Sequence, residues 1–232
     1  MGFKVVIPSR FHSTRLPGKP LMMIGDFPMV IHVAKKAVLS GAEEVIIATD
    51  DKRIKDVSES FGFNAIMTSK DHLTGTDRVC EVAIKNNWSD SEIIINVQGD
   101  EPLIDPKLIL LIASSMKKEN LSYVTACCDF DDEKDLMSPN NVKVVLDANN
   151  FAVNFSREAI SELHHIGIYG YSVELLKQFC KLSCSKNEKS RSLEQLRALD
   201  NNISLKVLKF QGTFVKGIDT LEDLKAIRKI FS

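Results

Sequence analysis

The sequence predicts an α/β protein with a mainly parallel central sheet and a smaller antiparallel lobe. Three observations lead there. Short, continuous apolar runs (FKVVIP, EVIIATD, NAIMT, EIIINVQGD) alternate with helix-period segments through about residue 120, and such runs read as strands buried on both faces. Residues that start and stop helices punctuate them. From about residue 121, LSYVTACCDF, NVKVVLD, FAVNFS and HHIGIYGYS follow one another with few helices between, as in an antiparallel excursion.

Taken in order, FKVVIP is the first buried strand, and the basic loop SRFHSTRLPGK follows it. PMVIHVAKKAVLSG reads as a helix, with Pro28 near its first turn and Gly41 just past its end. EVIIATD is the next strand. DKRIKDVSESFG is a short helix stopped by Gly62, and NAIMT is a strand. Thr76 is the expected N-cap of a helix over DRVCEVAIKNN. EIIINVQGD is the next strand, and a helix is expected from Pro106 to Lys118. After the antiparallel run, helices are expected from Val173 and around RSLEQLRALD. The strand ISLKVLKF and the helix LEDLKAIRKIF close the chain. Thr220 and Asp223 have capping-box spacing, with Asp in the Glu position.

The bulk numbers narrow the function. The 232 residues are 44% hydrophobic and 26% charged, with a net charge of −1. No global field recruits a nucleic acid or an anionic membrane, so anion binding must come from a local cluster. No apolar run approaches the ~18 residues of a membrane span. Five cysteines in no C-x-x-C pattern suit a reduced, cytoplasmic setting better than a disulfide framework.

Several polar stretches fall where strands end, and loops at one rim of a parallel sheet share a crevice. In the first, Arg10, Arg15 and Lys19 are donors suited to a polyphosphate; a solvated basic loop is the competing reading. TGTDR sets a small-residue turn before a helix whose free N–H groups suit an anion. A helix cap explains Thr76 and Asp77, but not the cation Arg78 at that end. In VQGDEP, Asp100 can hold Mg2+ against phosphate oxygens, and Asp219 of GIDT is a second oxygen ligand; each can equally be an acidic turn residue. In HHIGIYGYS, His165, Gly167, Tyr169 and Tyr171 share one strand face, lining a polar pocket or facing solvent from an edge.

In sequence order IPSRFHSTRLPGKPL, ATDD, MT with TGTDR, NVQGDEPLI, FSR, HIGIYGY, LEQLR and GIDTLEDL resemble the 3-deoxy-manno-octulosonate (Kdo) cytidylyltransferase family. The resemblance covers almost the whole chain. It implies a Rossmann-like nucleotide-diphospho-sugar transferase fold. It also implies one cytidylyltransferase domain over 1–232, with a CTP-binding part to about 120, a sugar-binding and dimerisation lobe over about 121–200, and a return to the main sheet over about 201–232. The implied reaction transfers CMP from CTP to Kdo, releasing pyrophosphate, for lipopolysaccharide synthesis, with Mg2+, in the cytoplasm and as a homodimer.

By position, Arg10, Arg15, Lys19, Thr74, Gly75 and Asp77 resemble the family's CTP-binding residues. Arg78, Gln98, Arg157, His165, Tyr169, Glu194 and Gln195 resemble its sugar-acid contacts. Asp100 and Asp219 match its metal ligands and, with Lys19, its catalytic set. Two stretches depart from the pattern. EAISELH replaces a longer, proline-containing insert between Arg157 and His165, and SCSKNEKSR replaces a proline-rich stretch before LEQLR. Both departures lie on the sugar or dimer side, which keeps 8-amino-Kdo or a sialic-acid-like 2-keto sugar acid as alternative substrates. A glycosyltransferase of similar fold wants an Asp-x-Asp motif, for which Asp129 to Asp131 is the only match. A non-catalytic nucleotide-binding module expects the loss of Asp100 or Asp219, and both are present.

Overall fold

A computed structural model describes residues 2–12, 16–130, 132–212 and 217–231. The chain runs β1 (Lys4–Ser9), β2 (Met23–Ile24), β3 (Phe27–Pro28), α1 (Met29–Leu39), β4 (Glu44–Thr49), α2 (Lys52–Ser60), β5 (Asn64–Met67), α3 (Gly75–Lys85), β6 (Ile93–Asn96) and α4 (Pro106–Glu119). It continues through β7 (Tyr123–Asp129), α5 (Glu133–Met137), β8 (Lys143–Leu146), β9 (Ala152–Ser156), β10 (Leu163–Ser172), α6 (Val173–Cys180), α7 (Lys186–Arg191), α8 (Leu196–Asp200), β11 (Lys206–Lys209) and α9 (Leu221–Arg228).

The main sheet has the order β11-β7-β10-β6-β1-β4-β5. β6, β1, β4 and β5 are parallel neighbours, and β11 is parallel to β7. Side chains alternate along β1 as a doubly covered sheet requires. Val5 and Ile7 join a core with residues of α1, α2 and α4, while Val6 joins the opposite core with residues of α3, α6 and α8. The antiparallel part is continuous with this sheet. β10 is inserted between β6 and β7, antiparallel to both, and its start also carries β8, which pairs with β9. The face shared by His165, Tyr169 and Tyr171 therefore belongs to an interior strand, not to an edge.

Local chemistry shifts three elements from their sequence-expected places. The N-cap of α3 is Thr74, not Thr76. Thr74 Oγ1 accepts from the Asp77 N–H at 3.2 Å, and the Asp77 carboxylate accepts from the Thr74 N–H; Thr76 turns its hydroxyl to Glu194 instead, at 2.7 Å. The single helix expected around RSLEQLRALD is two short ones, α7 and α8, broken at Ser192, whose φ is +52°. The break folds α8 back so that the Arg197 guanidinium grips both oxygens of Glu188, at 2.8 and 2.5 Å. The acidic stretch after β7 contains α5, capped by Asp132.

Arg197 and Glu188 are 7% and 8% exposed at their side chains, and breaking a buried pair strands the remaining charge. Glu188→Ala is expected to cost about 3 kcal/mol, read as a lower urea midpoint with an unchanged slope.

Candidate active site

β1 is flanked by β4 on one side and β6 on the other. The connections after β1 and β6 therefore part at a topological switch point, where open α/β sheets bind ligands. The cleft there has a volume of about 450 Å³. Pro8 and Ser9 line it from the end of β1, and Arg10, Lys19 and Pro20 from the loop that follows; Thr74, Gly75 and Arg78 from the start of α3; Gln98, Gly99 and Asp100 from the segment after β6; and Glu194 and Asp219 from later loops. The motif loops thus meet as a shared rim predicts.

Close backbone approach builds the floor. A Cβ on Gly99 would stand 2.4 Å from Ser9 Oγ and 2.9 Å from the Pro8 carbonyl oxygen, so only glycine lets the two loops touch. Gly18, at φ +69°, turns the basic loop back. Its N–H donates to Phe11 O and its carbonyl accepts from the Leu21 N–H, both at 2.9 Å. Lys19 then opens a single 3-10 turn, Lys19–Leu21, and its side chain points across the cleft. The ammonium donates to Asp100 Oδ2 at 2.6 Å and to the Ile218 carbonyl at 2.8 Å, and it lies 3.3 Å from Asp219 Oδ1. The two aspartates singled out as metal ligands, far apart in sequence, converge on one cation.

On the opposite wall Arg78 is 3% exposed. It donates to Asp50 Oδ2 at 3.0 Å, to the Ser69 carbonyl at 3.2 Å and to Thr68 Oγ1. Three of its five N–H donors are committed to the ends of β4 and β5, which explains a cation at this end of a helix. Glu194 is drawn to the wall by Thr76, and burial pushes its carboxyl above the usual range. Asp77 is committed to the cap of α3.

A second cavity, about 230 Å³, shares Asp100 and Asp219 with the first and is also lined by Glu101, Asn140, Asn141, His164, His165 and Gly167. His165 belongs here, its ring 4.9 Å from Phe155 and 5.6 Å from Tyr169. Burial first, and then His164, drive its pKa down to about 3, so the imidazole is neutral. Gln98 links the two cavities, its Nε2 3.4 Å from the Gly167 carbonyl. Tyr169 is half-buried beside Tyr123 and Tyr171. Gln195 is buried just ahead of α8. Arg157 is exposed, its guanidinium 3.2 Å from the Pro139 carbonyl and 3.5 Å from that of Asn140. Arg15 lies outside the described residues.

Sequence reasoning passed over Asp50 and Glu101, although both stand inside motifs it used, ATDD and QGDEP. Glu101 is 7% exposed, and its Oε2 has no hydrogen-bond partner among the described residues. Burial, and after it the charge of Asp100, push its pKa up to about 8.

A Rossmann-like sheet with cationic donors and two facing carboxylates at its switch point is the arrangement of a nucleotidyltransferase. The cytidylyltransferase family model matches residues 4–208. The chain is 39% identical to the 3-deoxy-manno-octulosonate cytidylyltransferase of Thioalkalivibrio sulfidiphilus, over 99% of each chain. It is 40% identical to the protein of that name from Coxiella burnetii, over the full length of both. A solved structure of CMP:2-keto-3-deoxy-manno-octonic acid synthetase complexed with CTP superposes with a TM-score of 0.93 at 36% identity, over 100% of this chain and 98% of that one. The chain belongs to the 3-deoxy-manno-octulosonate cytidylyltransferase family.

Glu101 makes stability depend on pH. Its folded pKa of about 8 exceeds its ordinary 4.5. The folded state therefore holds an extra proton between these values, and stability falls as pH rises through that window. Glu101→Gln is expected to match the native chain at pH 5 and to exceed it at pH 8 by at least about 1 kcal/mol, or about 2–4 °C in melting temperature. Parallel melts at the two pH values check this, and an equal gap at both would remove Glu101 as the cause.

Proposed function

We propose that this chain transfers CMP from CTP to the anomeric hydroxyl of Kdo, giving CMP-Kdo and pyrophosphate for lipopolysaccharide synthesis. The observation that carries this reading is the convergence of Lys19, Asp100 and Asp219 in one cleft, in a chain of this family. The hydroxyl oxygen attacks the α-phosphorus in line. The new O–P bond forms as the bond to the bridging α–β oxygen breaks, pyrophosphate leaves with that electron pair, and the hydroxyl proton passes to solvent.

The sugar acid brings its own carboxylate to a triphosphate. Two unit charges about 4 Å apart repel by about 4 kcal/mol at an effective dielectric near 20. Arg10 and Lys19, with Arg15 by resemblance, offset that repulsion and hold the leaving pyrophosphate. Thr74 and Gly75 present the start of α3 to the nucleotide, and Asp77 keeps that turn in shape. Gln98, Arg78 and Glu194 face the sugar acid across the cleft. In this reading His165 contacts it from the adjoining cavity, while Tyr169, Gln195 and Arg157 shape the surroundings of that side.

The donor set fits Mg2+. Among the described residues no three His, Cys, Asp or Glu side chains gather, and Mg2+ needs only one or two carboxylates when phosphates and waters complete its shell. Asp100 and Asp219 are hard oxygen donors already aimed at one cation. They would hold the ion, which when bound supplies charge neutralisation and Lewis-acid polarisation of the phosphoryl oxygens.

A cytoplasmic location is supported by Cys80, Cys127, Cys180 and Cys184, which are thiols among the described residues. Among the described residues no helix is long and apolar enough to cross a membrane. A homodimer is supported by β9, whose ladder partner among the described residues is β8 and which exposes Val153, with the Ala152 N–H at its start donating to the Leu205 carbonyl at 2.9 Å. Such an edge invites a second copy. The short turn from Arg157 to Glu162 favours a second reading on the sugar side, in which the substrate is 8-amino-Kdo or another 2-keto sugar acid.

Pyrophosphate release with CTP, Mg2+ and, separately, Kdo, 8-amino-Kdo and sialic acid tests the reading. Kdo is expected to give the highest kcat/KM, and no release with any sugar acid would refute the proposal. Asp100→Asn is expected to lower turnover by at least about 100-fold with an unchanged circular dichroism spectrum. Arg10→Ala is expected to act mainly on the KM for CTP.

A further inference from the structure

We propose that Lys19 is an exchangeable internal cation. Its ammonium holds the place of the divalent ion between Asp100 and Asp219 until a triphosphate draws it away, so metal and nucleotide binding are coupled through this one side chain. The inference rests on Asp100 and Asp219 as the metal-holding pair.

The geometry makes the two cations exclusive. Lys19 Nζ stands 2.6 Å from Asp100 Oδ2, 3.3 Å from Asp219 Oδ1 and 2.8 Å from the Ile218 carbonyl. A divalent ion held by these same two carboxylates would compete for the space that the ammonium fills, and the like charges repel. The Lys19 side chain is 13% exposed, against 31% and 34% for its two partners. The aspartates thus remain open to a ligand from the cleft side while the lysine holds them from beneath.

Exchange needs no movement of the main chain. Bonds from the Gly18 N–H to Phe11 O, from the Leu21 N–H to Gly18 O and from the Met22 N–H to Lys19 O hold the turn that carries Lys19. Lysine is the suitable residue, because it is a compact point charge on a flexible stem. The anion that releases it is a polyphosphate in the same cleft, where Arg10 already stands. Once the ammonium turns to phosphate, the two carboxylates lose its charge and take up the divalent ion. By linkage, whatever factor the nucleotide adds to metal affinity the metal returns to the nucleotide. The reactive metal centre is then assembled only around a bound triphosphate.

The test uses Mn2+ alone, with the full chain and neither nucleotide nor sugar acid, followed by water-proton relaxation and calorimetry. Lys19→Met is expected to bind Mn2+ at least about tenfold more tightly than the native chain, a size typical of coupling between sites. Lys19→Arg, which keeps a cation there, is expected to stay near the native value. Should Lys19→Met not fold, Lys19→Gln gives the same comparison. Equal or weaker Mn2+ binding by the neutral variants overturns the proposal. Adding Asp100→Asn to Lys19→Met must abolish the gain; a gain that survives would place the ion elsewhere and strike the assignment of the pair. These outcomes are separate from turnover, because no substrate of the proposed reaction is present.

Discussion

One ammonium joins the parts of this site that the chain keeps farthest apart. Lys19 follows β1, Asp100 follows β6, and Ile218 and Asp219 precede the last helix; their contacts span 81, 199 and 200 residues. The joint rests on a small apolar cluster of Leu16, Ile24, Met29, Ile218, Leu224 and Ile227, which packs the basic loop against α9. The cap of α9 orients its end of the joint, since the Asp223 carboxylate accepts from the N–H groups of both Asp219 and Thr220, at 3.0 and 2.8 Å. A residue that reads as a helix cap in the sequence thus also places a candidate catalytic carboxylate.

The opposite wall depends on a relay of ion pairs and hydroxyls instead. Asp50 holds Arg78 at the end of β4, Thr76 holds Glu194, and Arg197 lies 3.6 Å from Glu194 while gripping Glu188. The first turn of α3 is tied in this way to β4 on one side and to α7 and α8 on the other. Charges buried to this degree persist only when partnered, so the relay sets the wall's shape before any ligand arrives. Arg78 illustrates the consequence: its position on the wall owes more to Asp50 than to a ligand.

The alternation of strands and helices was legible because buried strands and amphipathic helices leave different periods in a sequence. The Lys19, Asp100 and Asp219 cluster was legible because each residue sits in a short loop whose position follows from strand order. Partner choices were not. Thr76 and Thr74 are both competent caps, and only the distant Glu194 decides between them. The break at Ser192 answers to Arg197, a long-range demand that no local propensity expresses. Asp50 and Glu101 lay inside quoted motifs, yet their burial depends on which strands become neighbours.

The same limit explains His165, whose place is set by an irregularity in β10. Between Ile166 and Tyr169 the register against β7 shifts, so Gly167 and Ile168 have no partners there. Two extra residues keep the alternation, and His165, Tyr169 and Tyr171 stay on one face. The shift also diverts carbonyls from the ladder, and Thr125 covers this loss. Its hydroxyl donates to Ile168 O at 2.8 Å, lies 3.2 Å from Ile166 O and is 3.0 Å from His165 Nε2. A hydroxyl has one proton. With it directed to Ile168, a neutral His165 completes the set by donating from Nε2 to the Thr125 oxygen, which leaves Nδ1 as an acceptor. Burial, and after it the neighbouring His164, keep the ring neutral. The strand irregularity therefore sets the position of the imidazole beside Thr125. The cavity beside Asp100 and Asp219 accordingly carries a neutral histidine on its wall, rather than a third cation.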